Sequence, residues 1–330
     1  MSIYNTWVDR APVLILGATG PVAKEKRRPW IDWIHTAVGQ GSVVRDYVKW
    51  DDQVMSLPSA IDSILRGYQL TMTEPKGPVY ICLDVDLQRE KLNKPAAIPD
   101  VSRHAPPTSI QGDTMALKKV AGLLVEAERP VIIADYLSTK TGAVEALIEL
   151  AELLYLPVLD NGNMISFPNT HPLDLTGAKE DLLREADLVL SLDVFDLFQA
   201  LTVLDSTAHI AEYVIPKSAK IVDISMRHFA VKSWAQDYGK LQAVDCDISA
   251  DISSAIPALT SACRDIIFPR SEITSRLQQR FVALKEKHDK LRTYWRNEAE
   301  KTRDEKPISP SRLVAELWDV VKDEDFVLIN

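Results

Sequence analysis

Val131-Ile-Ile-Ala-Asp135 and the segment that follows it, Ala143-Val-Glu-Ala-Leu-Ile-Glu-Leu-Ala-Glu-Leu-Leu154, decide the fold. The first is continuously apolar rather than alternating, the pattern of a strand covered on both faces, as in a parallel sheet flanked by helices. The second repeats its leucines at three- and four-residue steps, the period of an amphipathic helix. The same alternation runs outward in both directions. Apolar runs at Val13 to Leu16, Val79 to Leu83, Val158 to Asp160, Leu188 to Leu192, Ile221 to Ile224 and Phe326 to Ile329 read as strands. Ala60 to Met72, Met115 to Ala127 and Lys179 to Ala186 read as helices. The order predicts βαβ units throughout and an α/β protein.

Composition marks the boundaries. Lys94-Pro-Ala-Ala-Ile-Pro-Asp-Val-Ser-Arg-His-Ala-Pro-Pro107 is too rich in proline for a helix and reads as an extended connector. The division that follows is 1–93 for a first segment, 94–114 for the connector, 115–265 for a complete middle domain, 266–306 for a long helix and 307–330 for the first elements of a further unit. In the long helix, Ile273, Leu277, Phe281, Leu284, Leu291, Tyr294 and Trp295 predict a single buried stripe. Pro307 and Pro310 end it, and Ser311 is the expected cap of a last helix, Ser311 to Lys322. Asp325-Phe-Val-Leu-Ile-Asn330 then reads as a strand with nothing after it, so the chain is expected to be a fragment with unpaired strand edges and poor solubility.

A formal net charge of −9 and a pI near 5.3 argue against a nucleic-acid footprint. No apolar run reaches membrane-spanning length, and no secretory leader opens the chain, which points to the cytoplasm. Cys82, Cys246 and Cys263 are too scattered for a disulfide framework or a four-thiolate zinc site, which disfavours a sirtuin-like deacylase.

The candidates for chemistry are few. Gly17-Ala-Thr-Gly20 follows a strand, as a phosphate-cradling loop would, but lacks the third glycine and the later acidic residue of a dinucleotide fingerprint, so a tight strand-to-loop turn is the better reading. In Arg28-Pro-Trp-Ile-Asp-Trp-Ile-His-Thr-Ala37, aromatics could wall a pocket in which His35 transfers protons. The plainer reading makes Trp30, Trp33 and Ile34 a packing face. His171 is expected to shape a turn, His104 to be solvated, and Asp245 and Asp247 to lie on a solvated strand edge. His209, His228 and His288 have no cysteine or carboxylate at metal-ligand spacing. No catalytic, cofactor-binding or metal-binding residue can be assigned securely.

Several stretches together resemble one family. Ala11-Pro-Val-Leu-Ile-Leu-Gly-Ala-Thr-Gly-Pro21, Val44-Arg-Asp-Tyr-Val-Lys-Trp50 and Gly77-Pro-Val-Tyr-Ile-Cys-Leu-Asp84 are similar to the latter half of the pyrimidine-binding domain of thiamine diphosphate-dependent enzymes of the acetolactate synthase group. After the connector, Ala127-Glu-Arg-Pro-Val-Ile-Ile133, Leu156-Pro-Val158, Phe167-Pro-Asn-Thr-His-Pro172, Ala186-Asp-Leu-Val-Leu190 and Ala219-Lys-Ile-Val-Asp-Ile224 resemble the middle domain. Pro307-Ile-Ser-Pro-Ser-Arg-Leu313 resembles the entry to the diphosphate-binding domain.

The resemblance implies a parallel-sheet, Rossmann-like middle domain flanked by incomplete α/β domains. It implies a lyase or transferase acting on 2-oxo acids with thiamine diphosphate and Mg²⁺, assembled as a homodimer or tetramer. The family's early glutamate, which activates the cofactor, and its Gly-Asp-Gly…Asn motif for Mg²⁺ and the diphosphate have no counterpart here. Gln111-Gly-Asp-Thr114 lies in the connector and is not that motif. The chain alone is therefore expected to be inactive. Ile34-His-Thr36 stands where acetolactate synthases carry Phe-Gln-Glu, which makes His35 and Thr36 the substrate-pocket candidates. Cys82-Leu-Asp-Val-Asp86 replaces a lysine-bearing pattern, which removes a pocket-lining lysine. In the middle domain, Ile133-Ala-Asp-Tyr-Leu-Ser138 and Leu175-Thr-Gly-Ala-Lys179 offer few glycines, which weighs against bound FAD. The rival readings are an NAD- or FAD-binding oxidoreductase using Gly17 to Gly20, and a non-catalytic binding protein built on the middle domain.

Overall fold

The computed structural model describes residues 1–205, 207–208, 210–232, 236–268 and 271–326. Residues 1–93 build α1 (Ser2–Val8), β1 (Leu14–Thr19), α2 (Asp32–His35), α3 (Gln40–Val44), β2 (Trp50–Val54), α4 (Leu57–Met72), β3 (Val79–Asp84) and α5 (Val85–Arg89). The three strands form a parallel sheet in the order β1-β3-β2. Central β3 is apolar on both faces from Val79 to Leu83. Val79 and Ile81 pack with Ala60 and Val54 on the α4 side, and Tyr80 and Cys82 pack with Val48, Ile3 and Val44 on the other.

The middle block runs α6 (Thr114–Glu126), β4 (Pro130–Ala134), α7 (Ala143–Leu154), β5 (Val158–Asp160), α8 (Lys179–Glu185), β6 (Leu188–Leu192), α9 (Leu197–Ala200), β7 (Thr202–Asp205), β8 (Ile210–Tyr213), β9 (Lys220–Ser225), β10 (Cys246–Ser249) and α10 (Ile252–Ile267). Five strands make a parallel sheet in the order β10-β9-β6-β4-β5. Every residue of β4 and β6 is buried, as their unbroken apolar runs require. The chain order reverses at β4, so β4 and β6 frame a topological switch point, where open α/β sheets place their ligand crevice outside the strand C-termini. Helix α11 (Ser271–Lys301) lays Ile273, Leu277 and Leu284 into the same core. Helix α12 (Pro310–Val321) follows.

Several expectations are corrected. The βαβ order does not hold throughout: β7 and β8 pair antiparallel as a separate ribbon. Trp50–Val54 is a strand although Asp51, Asp52 and Gln53 interrupt its apolar pattern, because an edge strand needs only part of its surface buried. Gly17 lies inside β1 rather than opening a turn. A Cβ there would run into the Tyr80 ring of the neighbouring strand, so the glycine makes room for a phenol. Ser309, not Ser311, caps α12: its hydroxyl accepts from Arg312 N at 3.2 Å, and Pro310 takes the first helical position, which needs no N–H. The α11 stripe fades at its end, where Tyr294 and Trp295 are exposed. Trp30, Trp33 and Ile34 form no packing face with the described residues; all three are exposed. The strand expected at Phe326 to Ile329 falls largely on 327–330, and His209 likewise lies outside the described residues.

Candidate functional site

Charged side chains collect where the switch point opens. Asp135 follows β4 and Asp193 follows β6, each fully buried. Asp193 Oδ2 lies 2.8 Å from Arg10 Nη1 and 2.9 Å from Lys140 Nζ. Lys140 also lies 3.6 Å from Glu74 and 3.7 Å from Asp251, so one ammonium faces three carboxylates. Arg10 and Glu74 come from the first block, the other members from the middle block. The guanidinium of Arg10 is stacked 4.0 Å from the Tyr136 ring centre and 5.4 Å from that of Phe195. Tyr136 in turn donates its hydroxyl to Val8 O at 2.9 Å.

The backbone is strained at the same place. Of the four non-glycine residues with a left-handed backbone among those described, three meet here: Arg10 (φ 52°), Tyr136 (φ 58°) and Asp193 (φ 55°). Each such residue costs roughly 1–2 kcal/mol, and strain of this kind concentrates at functional sites. Arg10 Nη1 and Nη2 and Asp193 Oδ1 are also buried without a hydrogen-bond partner. Close as Arg10 and Asp193 are, their attraction is a charge contact rather than an aligned hydrogen bond.

Electrostatics separate the two aspartates. Burial would raise Asp193, but Arg10 and Lys140 outweigh it and hold the carboxyl below its ordinary range. Burial pushes Asp135 up, against hydrogen bonds from Asn161 Nδ2 at 3.0 Å and Asn163 Nδ2 at 2.6 Å. Burial likewise pushes the Tyr136 hydroxyl up to about 12. Asp251 stays below its ordinary range because Lys140 and the Ser253 N–H and hydroxyl overcome its burial.

Two openings flank the cluster. A polar crevice of about 280 Å³ is walled by Tyr136, Asn161, Asn163, Phe195 and Gln199. A cleft of about 370 Å³ between the blocks is lined by Glu74, Lys76, Ser109, Lys140 and Asp251. The first does not fit a flavin or dinucleotide diphosphate. Where close backbone approach would need glycine, β4 is followed by Asp135 and Tyr136, which present a buried carboxylate and a phenol ring. Among the described residues no histidine is hydrogen-bonded to Ser, Thr or Cys, so no base-activated nucleophile is assembled.

The sequence candidates lie elsewhere. His35, exposed, ends α2, and Thr36, half-buried, donates its hydroxyl to Asp32 O at 2.6 Å. Both stand beside the turn after β1, where a Cβ on Gly20 would meet Asp32 and Thr36 Oγ1. His171 shapes its turn: it packs on Phe167 and its Nδ1 accepts from Leu173 N at 3.2 Å. Asp245 is not merely solvated, since its carboxylate accepts from Ile221 N at 2.8 Å and pins β10 to β9. Asp247 pairs with His228 at 3.0 Å. All three cysteines are free. Sequence reading missed the Arg10 cluster, although Asp135 and Asp193, each an acid directly after a buried apolar strand, were its visible signal.

With this geometry in hand, the middle block is a switch-point α/β domain of the kind found at the centre of thiamine pyrophosphate enzymes: residues 117–259 match the family model described as thiamine pyrophosphate enzyme, central domain. Residues 117–259 thus carry the central domain of that family, and the chain as a whole is similar to acetolactate synthase large subunits. It is 28% identical to a probable acetolactate synthase large subunit of Methanocaldococcus jannaschii over 290 residues, covering 83% of this chain and 44% of that protein. It is 23% identical to a glyoxylate carboligase of Escherichia coli over 48% of this chain and 25% of that protein. The solved benzoylformate decarboxylase of Polynucleobacter necessarius superposes with a TM-score of 0.60 at 18% identity, over 79% of this chain and 46% of that one. The chain thus spans less than half the length of these relatives.

Proposed function

We propose that this chain is part of a thiamine diphosphate- and Mg²⁺-dependent enzyme that decarboxylates or ligates 2-oxo acids in the manner of an acetolactate synthase. The observation that carries the reading is the match of 117–259 to the family's central domain, set between segments that resemble its neighbours in the family's order. When bound, thiamine diphosphate supplies a nucleophilic carbon for addition to the 2-oxo carbonyl. None of the described residues is assigned to its Mg²⁺-diphosphate, and among them no group of three or more His, Cys, Asp or Glu is placed to hold a metal ion. Asp113 of Gln111-Gly-Asp-Thr114 is occupied in capping α6, accepting from Ala116 N at 2.7 Å.

The role of these residues is then to shape and support. His35 and Thr36, at the C-terminal side of β1, are assigned to the acceptor pocket, and the Arg10 cluster holds the first block on the central domain. Exposed Trp30, Trp33 and Ile34 suit the contact of a homodimer or tetramer. FAD is left out of the reading, as are nucleic acid and membrane partners. Among the described residues no helix is long and apolar enough to cross a membrane, and a cytoplasmic location goes with the proposal.

The test is reconstitution. The 330 residues supplied with thiamine diphosphate and Mg²⁺ are expected to release no CO₂ from pyruvate. A chimera that adds the glutamate-bearing and Gly-Asp-Gly…Asn segments of an acetolactate synthase is expected to release it. CO₂ release that persists without thiamine diphosphate would overturn the reading.

A further inference from the structure

A second opening, formed without any residue of the first block, lies where the end of β5 and the loop after it meet α11. It is a cleft of about 380 Å³, within the range of small-molecule sites. Its floor is built around the indole of Trp295. A Cβ on Gly177 would run into Cζ2 and Cη2 of that indole, so the edge of the ring abuts glycine backbone and fixes where the ring stands. Buried Phe167 and exposed Ile165 extend the apolar wall. One turn earlier on the same face of α11, Arg292 reaches the cleft half-buried and has no hydrogen-bond or ion-pair partner among the described residues.

The two acids at the cleft do not answer that charge. Asp160 Oδ1 accepts from Gly162 N at 3.0 Å, and its Oδ2 accepts from Ser166 N at 2.8 Å and Phe167 N at 3.3 Å. Asp174 Oδ1 accepts from Thr176 N and Oγ1 at 3.3 and 2.5 Å. Both carboxylates are spent on folding the loop. The helix is fixed against that loop by buried His288, whose Nδ1 lies 2.9 Å from Asp174 O. A partly exposed indole held by its edge and an unmatched guanidinium are thus presented together on one helix.

We propose that this cleft binds a small carboxylate with a planar or branched apolar body, the body on Trp295 and Ile165 and the carboxylate on Arg292. Planar guanidinium–carboxylate pairing gives the orientation, and the indole face gives the contact area. The proposal does not rest on the thiamine reading, because the cleft contains no residue of 1–113. Phenylacetate is the probe, followed by saturation-transfer NMR and calorimetry on the full chain. Saturable binding with a Kd of about a millimolar is expected for a ligand of this size. Arg292→Gln is expected to weaken it about tenfold, and neutral phenylacetamide to bind the parent correspondingly weakly. Trp295→Leu is expected to abolish the ring-proton transfer signal while leaving the thermal melt in place. Absence of saturation at tens of millimolar would overturn the proposal, as would phenylacetate binding that is indifferent to both substitutions.

Discussion

Asp193 is the residue on which the two blocks depend. It is buried against Arg10 from one block and Lys140 from the other, and its own backbone is left-handed. Removing one partner of a buried ion group leaves uncompensated charge, which costs about 3–5 kcal/mol. Asp193→Asn is therefore expected to lower stability by that order at pH 7, read from urea unfolding midpoints. The folded carboxyl sits below its ordinary range, so its contribution is present above the unfolded value near ~3.9 and is lost as pH falls through the folded one. Parent and variant should accordingly begin to converge as pH falls below about 4 and meet only below the folded value; a gap that stays constant through that fall would remove the ionic explanation. Lys49 carries the opposite lesson. Burial lowers its ammonium to about 8 against some help from Glu74, while its Nζ donates to Leu70 O and Thr73 O at 2.5 Å each. Between that pKa and the ordinary lysine value the unfolded chain holds more protons than the folded one, so stability rises with pH across the interval. Lys49→Gln is expected to flatten that rise, and unfolding midpoints taken between about pH 8 and 10 measure it.

At the scale of elements, legibility followed burial. Leu188–Leu192 and Val158–Asp160 could be read directly because strands covered on both faces must be continuously apolar. Trp50–Val54 and Cys246–Ser249 sit at sheet edges, where half-buried positions admit Asp and Gln, and hydropathy alone does not mark them. The candidate site was less legible still. Its acids stand visibly after β4 and β6, but Arg10 arrives from a distant part of the chain, through a backbone conformation that no local pattern announces. Capping was misplaced by two residues because Ser311 and Ser309 flank the same Pro310, and only the geometry shows which hydroxyl faces Arg312 N. Helix α12 buries none of its residues and leaves Leu313, Val314 and Trp318 exposed, so its ends matter more than its packing. Ser309→Ala is expected to cost the helix about 1 kcal/mol. The loss should appear as several-fold faster amide exchange confined to 310–321, with the global melt unmoved. A shift of the global transition instead would mean that α12 belongs to the cooperative core.

Over the whole molecule, a three-stranded unit with two open edges leans on a five-stranded domain with a large core. A unit of that size is marginal alone, so its persistence depends on what ties it down. The ties are polar contacts around a small apolar cluster of Trp7, Tyr136, Phe195 and Ala230: Arg10 to Asp193, Glu74 to Lys140, Tyr136 to Val8, Lys76 to Thr139 and Lys232 to the Arg45 and Val48 carbonyls. Arg10 and Glu74 meet the same Asp193–Lys140 pair from one side, so their effects should not add. Losing either leaves the other holding the charged contact, whereas losing both leaves Asp193 and Lys140 to each other and loosens the first block, which then rests on the Trp7 cluster. Arg10→Met and Glu74→Gln are each expected to leave the connector at 94–113 nearly as resistant to limited proteolysis as in the parent. The double variant is expected to be cut there many-fold faster, while amide protection in β4 and β6 stays at the parental level because their core does not include either residue. Additive single effects would mean that the two residues act through separate contacts. Loss of protection in β4 in step with cleavage would mean that the blocks unfold as one, and that the charged cluster is part of a single core rather than the clasp between two.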